Sequence, residues 1–182
     1  MLEVEMKFPV QNASQIQSKL QALGFRGAPV QFEVDRYYNA PDRDFAQTDE
    51  ALRIRQHGEN VKLTYKGPKQ GNAGKVRKEL ELALAAGTAE TMHRLLVALR
   101  YSPSIEVRKQ RTKYYHPAQK DIEIAWDEVE QLGTFIELEL QVPEGDQAEA
   151  LLVLQAMAQS LGLGPEERRS YLELLLAKSH GT

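Results

Sequence analysis

The first eight residues constrain the fold most strongly, because charged and apolar side chains alternate strictly along them. On a strand, Glu3, Glu5 and Lys7 fall on one face, and the apolar residues at positions 2, 4, 6 and 8 fall on the other. Two carboxylates in line suit a divalent cation, and a neighbouring lysine suits a phosphate. An edge strand with a solvated charged face explains the same pattern. This strand alone therefore leaves both interpretations open.

Most of the later predicted strands repeat this polar face. Arg53 and Arg55 share one face of a strand, and Lys62 and Lys66 share a face of the strand that follows it across a turn. Like charges that face each other across strands are destabilising unless a bound anion or interleaved carboxylates neutralise them. The remaining charged positions on predicted strands are Arg77, Glu79, Glu81, Lys109, Arg111, Asp127, Glu137 and Glu139.

Four predicted amphipathic helices decide which strand face points inward. The first begins at Ser14. The other three run from Thr88 to about Arg100, from about Gln147 to Leu161 and from about Pro165 to Ala177. Their apolar stripes need a partner, which the outward apolar faces of a barrel provide. We therefore expect an α+β fold, an antiparallel eight-stranded closed barrel with a charged interior and helices packed outside. An open sheet with one solvated face is the alternative.

Length and composition set the remaining limits. The 182 residues suffice for one domain, with strands over about 1–142 and C-terminal helices over about 146–178. The net charge of −3 disfavours a nucleic-acid partner. The absence of cysteine excludes thiolate metal sites and is compatible with a reducing cytoplasm. No apolar run approaches the roughly 20 residues of a membrane span, so we expect a cytoplasmic protein without a membrane partner.

Five sequence blocks resemble a known family. Glu3-x-Glu5-x-Lys7 resembles the opening motif of the CYTH superfamily, whose members fold as triphosphate tunnel metalloenzymes. Residues 52–55, 63–68, 107–111 and 127–139 are similar to its later motifs, in the same order. Residues 170–175 further resemble the tail of the class IV adenylyl cyclase branch.

The resemblance implies a role for each charged position. Arginine forks and lysine point charges would clamp a triphosphate, and carboxylates would hold Mg²⁺ or Mn²⁺, with Glu79 and Glu81 as lesser candidates. One metal ion would bridge the phosphates, and a second would lower the pKa of the attacking oxygen. The implied catalytic residues are Glu5, Lys7 and Asp127. The implied triphosphate ligands are Lys7, Arg53, Arg55, Lys62, Lys66, Arg77, Lys109 and Arg111, and the implied metal ligands are Glu3, Glu5, Asp127, Glu137 and Glu139.

Three functions fit these residues. Attack of a ribose 3′-hydroxyl on the α-phosphate of ATP gives cyclic AMP and pyrophosphate, the adenylate cyclase (phosphorus–oxygen lyase) reaction that the branch resemblance favours. Attack of water on the terminal phosphate of inorganic or thiamine triphosphate makes the protein a hydrolase. A non-catalytic module that binds polyphosphate or nucleotide is the third, although a pure anion binder gains nothing from carboxylates in its pocket. The resemblance also implies a homodimer.

Overall fold

The computed structural model describes residues 2–69, 75–118 and 121–179, with no side-chain description for residues 75 and 76. Ten strands and five helices lie in these ranges. The strands are β1 (Leu2–Pro9), β2 (Arg26–Gly27), β3 (Gln31–Asn39), β4 (Ala51–His57), β5 (Asn60–Lys66), β6 (Lys75–Arg77), β7 (Glu79–Leu84), β8 (Ser102–Tyr115), β9 (Ile122–Val129) and β10 (Gly133–Val142). The helices are α1 (Ala13–Ala22), α2 (Phe45–Thr48), α3 (Ala89–Ala98), α4 (Gln147–Leu161) and α5 (Tyr171–Ser179).

The strands form one antiparallel sheet that returns to its starting point. Nine of them follow the order β6-β1-β10-β9-β8-β3-β4-β5-β7, and β2 pairs with β8 beside this path. Only Lys78 separates β6 from β7, so the two form one bent strand that pairs with β1 through β6 and with β5 through β7. Counted this way, the sheet is the predicted eight-stranded antiparallel barrel.

The apolar strand faces point outward, as predicted, and helices cover those of β1 and β4, whereas Leu80 and Leu82 of β7 are exposed. On β1, Val4 and Phe8 are buried in a hydrophobic cluster that also contains Leu20 of α1 and Leu154 of α4. A second cluster packs Leu96 of α3 against the outer faces of β3, β4 and β5. Burial of this apolar surface is the main stabilising term for such a fold. It also leaves the charged faces of the strands to line the interior.

At one end of the barrel the interior face changes from charged to apolar. Tyr37, Val107 and Phe135 continue the inward rows that carry the charged side chains of β3, β8 and β10, and all three are buried. They form a hydrophobic cluster with Tyr171 and Leu175 of α5. Helix α5 therefore packs on the apolar end of the interior.

Two of the predicted helix starts were wrong. Helix α1 begins at Ala13, because the side chain of Asn12 accepts a hydrogen bond from the Gln15 amide and caps the helix. The last helix does not begin at Pro165. It begins at Tyr171, after Ser170 and Glu173 form a reciprocal capping box in which each side chain accepts from the other residue's amide.

In the described part of the chain, no helix combines the length and the apolar character that crossing a bilayer requires.

Candidate functional site

A cavity of about 760 Å³ occupies the barrel interior. It becomes more exposed towards Lys62 and Lys113, whereas Lys7 and Lys109 are deeply buried. All eight predicted triphosphate ligands line it, as do four of the five predicted metal ligands and the two lesser candidates. The lining residues from these predictions are Glu3, Glu5, Lys7, Arg53, Arg55, Lys62, Lys66, Arg77, Glu79, Glu81, Lys109, Arg111, Glu137 and Glu139.

Both arginines of β4 form ion pairs with a carboxylate of β3. Asp35 lies opposite Arg55 in the strand register. Its Oδ1 accepts from Arg55 Nε at 2.6 Å and its Oδ2 from Arg55 Nη2 at 2.7 Å, while Arg53 Nη1 lies 3.2 Å from Oδ2. Burial alone would raise the pKa of Asp35, but Arg55 and Arg53 outweigh it and hold that pKa well below its usual range.

The basic pair on β8 is held in a similar way from β9 and β10. Asp127 Oδ2 accepts from Lys109 Nζ at 3.0 Å and Asp127 Oδ1 accepts from Arg111 Nε at 2.7 Å. Arg111 Nη2 also donates to Glu137. On the other side, Glu33 Oε2 lies 3.4 Å from Lys109 Nζ. Burial and the neighbouring Arg111 lower the pKa of Lys109.

Asp127 is the one predicted metal ligand that does not line the cavity. Its side chain is fully buried, and besides Lys109 and Arg111 it accepts a 2.9 Å hydrogen bond from the Tyr171 hydroxyl. In this structure Asp127 therefore lies behind the basic pair, and its carboxylate is engaged by that pair and by α5. Its predicted metal-binding and catalytic roles stay predictions.

Lys7 lies at the α5 end of the cavity. Its side chain is fully buried, its Nζ donates to the Arg169 carbonyl, and Nζ stands 4.1 Å from the centre of the Tyr171 ring. A lysine held this way by a carbonyl and an aromatic face keeps a fixed position. The structure therefore brings Lys7 to the cavity wall together with the clamp, against the segment that leads into α5.

The other predicted clamp residues are each paired with nearby acids. Lys66 Nζ lies 2.9 Å from Glu3 Oε1 and 2.8 Å from Glu79 Oε2. Burial would lower the pKa of Lys66, but Glu3 and Glu79 raise it above its usual value, which keeps this lysine charged. Lys62 pairs with Glu81 at 2.6 Å, and Arg77 pairs with Asp49 at 2.9 Å.

The predicted metal ligands of β1 and β10 form part of a carboxylate row. Glu139 lies opposite Glu5 on β1 and opposite Glu123 on β9. Burial, and then the charges of Glu3, Glu5 and Glu123, raise the pKa of Glu139 to about 8. A divalent cation would relieve this crowding of carboxylates, and their oxygens are donors that Mg²⁺ and Mn²⁺ prefer. These residues thus fit a metal ion chemically, although no three His, Cys, Asp or Glu side chains of the described residues form a metal-binding group in this structure.

Two buried guanidinium groups have a donor without a partner. The Nε atoms of Arg53 and Arg77 are shielded from solvent, and no hydrogen bond to either exists among the described residues. A buried donor left in this state costs about 1–3 kcal/mol. Both side chains line the cavity, but an anion bound there would reach these Nε atoms only if the side chains moved.

Sequence reasoning missed Glu33 and Asp35. Both are buried, and both contact the predicted clamp from β3. Their signal was the same alternation that marked the other strands, since Glu33 and Asp35 are separated by Val34. The sequence does not reveal that β3 lies between β4 and β8, which is what brings these carboxylates to both basic pairs.

Comparisons with known proteins agree with this architecture. The CYTH domain family matches residues 1–171 of the chain. A Methanocaldococcus jannaschii protein, provisionally named an adenylate cyclase, is 36% identical over 177 residues, which cover 96% of this chain and 98% of that protein. A solved structure of a Pyrococcus horikoshii protein is 40% identical, with a TM-score of 0.88 and coverage of 97% of this chain and 99% of that chain.

A more distant structure shares the fold alone. It is a Hippeastrum protein described as a provisional adenylyl cyclase with a dominant triphosphatase activity. It is 17% identical, with a TM-score of 0.66 and coverage of 98% of this chain and 95% of that chain. The match of the family over residues 1–171, the relatives at 36% and 40% identity and the charged barrel lead to one conclusion. This chain belongs to the CYTH family.

Proposed function

We propose that this protein is a divalent-metal-dependent enzyme that binds a triphosphate in its barrel and converts ATP to cyclic AMP and pyrophosphate. The observation that carries the proposal is the convergence of all eight predicted clamp cations, with Glu3, Glu5, Glu137 and Glu139, on one cavity. Basic residues that contact a polyanion from several strands at once suit a chain of phosphates. A single phosphate would engage only part of such a clamp.

The charge of the cavity supports a requirement for metal ions. Among the described lining residues, nine are lysines or arginines and eleven are aspartates or glutamates. The lining therefore offers a bare triphosphate no net positive charge, and accompanying cations would favour its binding. The residues that would hold Mg²⁺ or Mn²⁺ are Glu3, Glu5, Glu137 and Glu139, and a bound ion would neutralise phosphate charge and activate the attacking oxygen.

The protein's own side chains position the substrate in this proposal. Arg53 and Arg55 on β4 and Lys109 and Arg111 on β8 bind the non-bridging phosphate oxygens, so that the 3′-hydroxyl can attack the α-phosphorus while pyrophosphate leaves. Negative charge that develops on the leaving group is stabilised by these cations. Lys7, at the α5 end, is a further phosphate ligand, as are Lys62, Lys66 and Arg77.

The choice of reaction rests on the curated relative. The Methanocaldococcus jannaschii protein that carries the adenylate cyclase name is 36% identical and aligned over almost its whole length. A cyclase must also place the nucleoside, with its 3′-hydroxyl next to the α-phosphate. The exposed end of the cavity, near Lys62 and Lys113, is where a nucleoside attached to the bound phosphates has room.

One observation favours a triphosphatase as the second candidate. The aromatic residues that line the described part of the cavity are Tyr37, Tyr38, Phe45 and Tyr171. All four are buried in hydrophobic clusters, so none offers a free face on which a base would stack. A site without such a platform suits inorganic triphosphate, with water as the nucleophile and the same clamp and carboxylates.

A product assay tests the proposal. Purified protein is incubated with ATP and, separately, with inorganic triphosphate, each with Mg²⁺, Mn²⁺ or chelator. Metal-dependent cyclic AMP and pyrophosphate from ATP are expected. Orthophosphate from inorganic triphosphate without cyclic AMP would replace the cyclase with the triphosphatase. Triphosphate binding without any product would leave a non-catalytic binding module.

A further inference from the structure

We propose that Asp35 is a positioning residue of the phosphate clamp, which holds the guanidinium groups of Arg53 and Arg55 in the orientation that a triphosphate requires. Asp35 acts through the two arginines and does not itself touch the substrate. The inference rests on the proposed function, because it assigns a task within the same site.

The geometry separates Asp35 from the cavity wall. Arg53 and Arg55 line the cavity, whereas Asp35 lies outside the lining and is 2% exposed. Its two oxygens accept hydrogen bonds from Nε and Nη2 of Arg55 at 2.6 and 2.7 Å, and Oδ2 also lies 3.2 Å from Nη1 of Arg53. One carboxylate therefore joins both clamp arginines from behind.

The two hydrogen bonds between Asp35 and Arg55 fix the orientation of the guanidinium group as well as its distance from the carboxylate. Two parallel hydrogen bonds set the plane of the Arg55 guanidinium, and the donors that Asp35 leaves unused then have a defined direction. One of them, Nη1, also lies 3.3 Å from Glu33 Oε2. Asp35 engages Arg53 through Nη1 alone, so it does not exhaust the hydrogen-bonding capacity of that guanidinium group. Preorganised donors bind an anion without the cost of ordering two long side chains.

Asp35 also permits two like charges to stand side by side. Arg53 and Arg55 are on the same face of β4, and both side chains are largely shielded from water. Without the carboxylate they would repel each other and remain buried without full compensation. The depressed pKa of Asp35, set by these two arginines against the opposing effect of burial, keeps the carboxylate ionised at neutral pH.

The chain offers a matched control on the outer face of the same strands. Arg36, next to Asp35 on β3, donates from Nε to Glu106 Oε1 on β8 at 3.0 Å. This is also an arginine–carboxylate contact between neighbouring strands, but Arg36 and Glu106 lie outside the cavity. Glu106→Gln therefore removes a more exposed arginine–carboxylate contact on the outer face without touching the clamp.

The test measures binding of inorganic triphosphate in Mg²⁺ by calorimetry. Asp35→Asn keeps the side-chain volume but loses the charge and one acceptor, and we expect its Kd to rise about tenfold or more. Asp35→Glu keeps the charge but displaces the carboxylate, and we expect a smaller increase. Glu106→Gln should bind like the wild type. If Asp35→Asn does not fold, Asp35→Glu still gives the comparison.

A double-mutant cycle with Arg55→Ala distinguishes positioning from general stabilisation. If Asp35 acts through Arg55, the Asp35→Asn effect on Kd should shrink to less than about threefold once Arg55 is absent. Full additivity in the cycle, or wild-type affinity in both Asp35 variants, would overturn the inference. The clamp itself would still stand in that case, provided that the wild-type protein binds triphosphate. Failure of the wild-type protein to bind triphosphate would overturn the proposed function, and this inference with it.

Discussion

The Tyr171 hydroxyl of α5 donates a 2.9 Å hydrogen bond to Asp127 Oδ2 of β9, the carboxylate that also holds Lys109 and Arg111. The helix at the end of the barrel is thereby joined to the basic pair inside it. Burial, followed by the charges of Glu137 and Asp127, raises the pKa of Tyr171 well above its usual value, so the hydroxyl remains a donor.

Tyr171→Phe removes this donor while retaining the ring. A hydrogen bond to a buried charged group contributes about 1.5–3 kcal/mol, so we expect the free energy of unfolding to fall by about that amount. Urea denaturation measures the change. Tyr115→Phe, at a residue that is 58% exposed, is the control and should alter stability by less than about 0.5 kcal/mol. Equal effects of the two substitutions would show that the Tyr171 contact contributes nothing.

Glu139 makes the stability of the metal-free protein depend on pH. Its pKa is about 8 in the folded protein, against an ordinary value of 4.5. Between pH 4.5 and about 8 this carboxyl is ionised in the unfolded protein and protonated in the folded protein. The contribution of Glu139 to the free energy of unfolding is therefore fully present below pH 4.5 and is lost as the pH rises through about 8.

Glu139→Gln should remove this loss. From pH 5 to 9, denaturation of the metal-free wild type should show a decline on the order of a few kcal/mol relative to the variant. Glu130→Gln, at an exposed turn position, is the control and should follow the wild type. If the free energy of unfolding changed with pH in the same way in the wild type and in Glu139→Gln, the carboxyl of Glu139 would not have a raised pKa. Added Mg²⁺ should reduce the decline, because a bound cation favours the ionised form.

Glu5→Gln tests the proposed metal site directly. The amide keeps the size of the side chain but removes a negative charge from the row shared with Glu139. We expect turnover to fall about 100-fold or more, comparable with the loss of a principal electrostatic group in other active sites. Circular dichroism should show an unchanged fold. Glu128→Gln, exposed on β9, should leave turnover unchanged, and wild-type turnover in Glu5→Gln would refute the metal assignment.

The barrel could be predicted from the sequence because the alternation of charged and apolar residues is a local pattern. Within β1, the charged and apolar faces are visible in eight consecutive residues, and the structure confirms both directions. On β8, where Arg108 interrupts the pattern, the alternation gave no clear direction. Pairing with β3 and β9 turns Lys109 and Arg111 inward and leaves Arg108 exposed.

What the sequence did not reveal depends on neighbours distant in the chain. Asp35 contacts Arg53 and Arg55 only because β3 and β4 pair, and Asp127 reaches Tyr171 only because α5 packs on the apolar end of the interior. The start of α5 was misplaced for a different reason. Proline suits the first position of a helix, but the capping box at Ser170 specifies the later start.

The most direct test of the central claim is a calorimetric titration of inorganic triphosphate into the wild-type protein, with Mg²⁺ and with chelator. The excess of acidic over basic lining residues predicts binding in Mg²⁺ and a large loss in chelator. Arg53→Ala should weaken binding about tenfold or more, and Arg108→Ala, exposed on the outer face of β8, should not weaken it. Equal affinity with and without metal, or in wild type and Arg53→Ala, would contradict a metal-assisted triphosphate clamp inside the barrel.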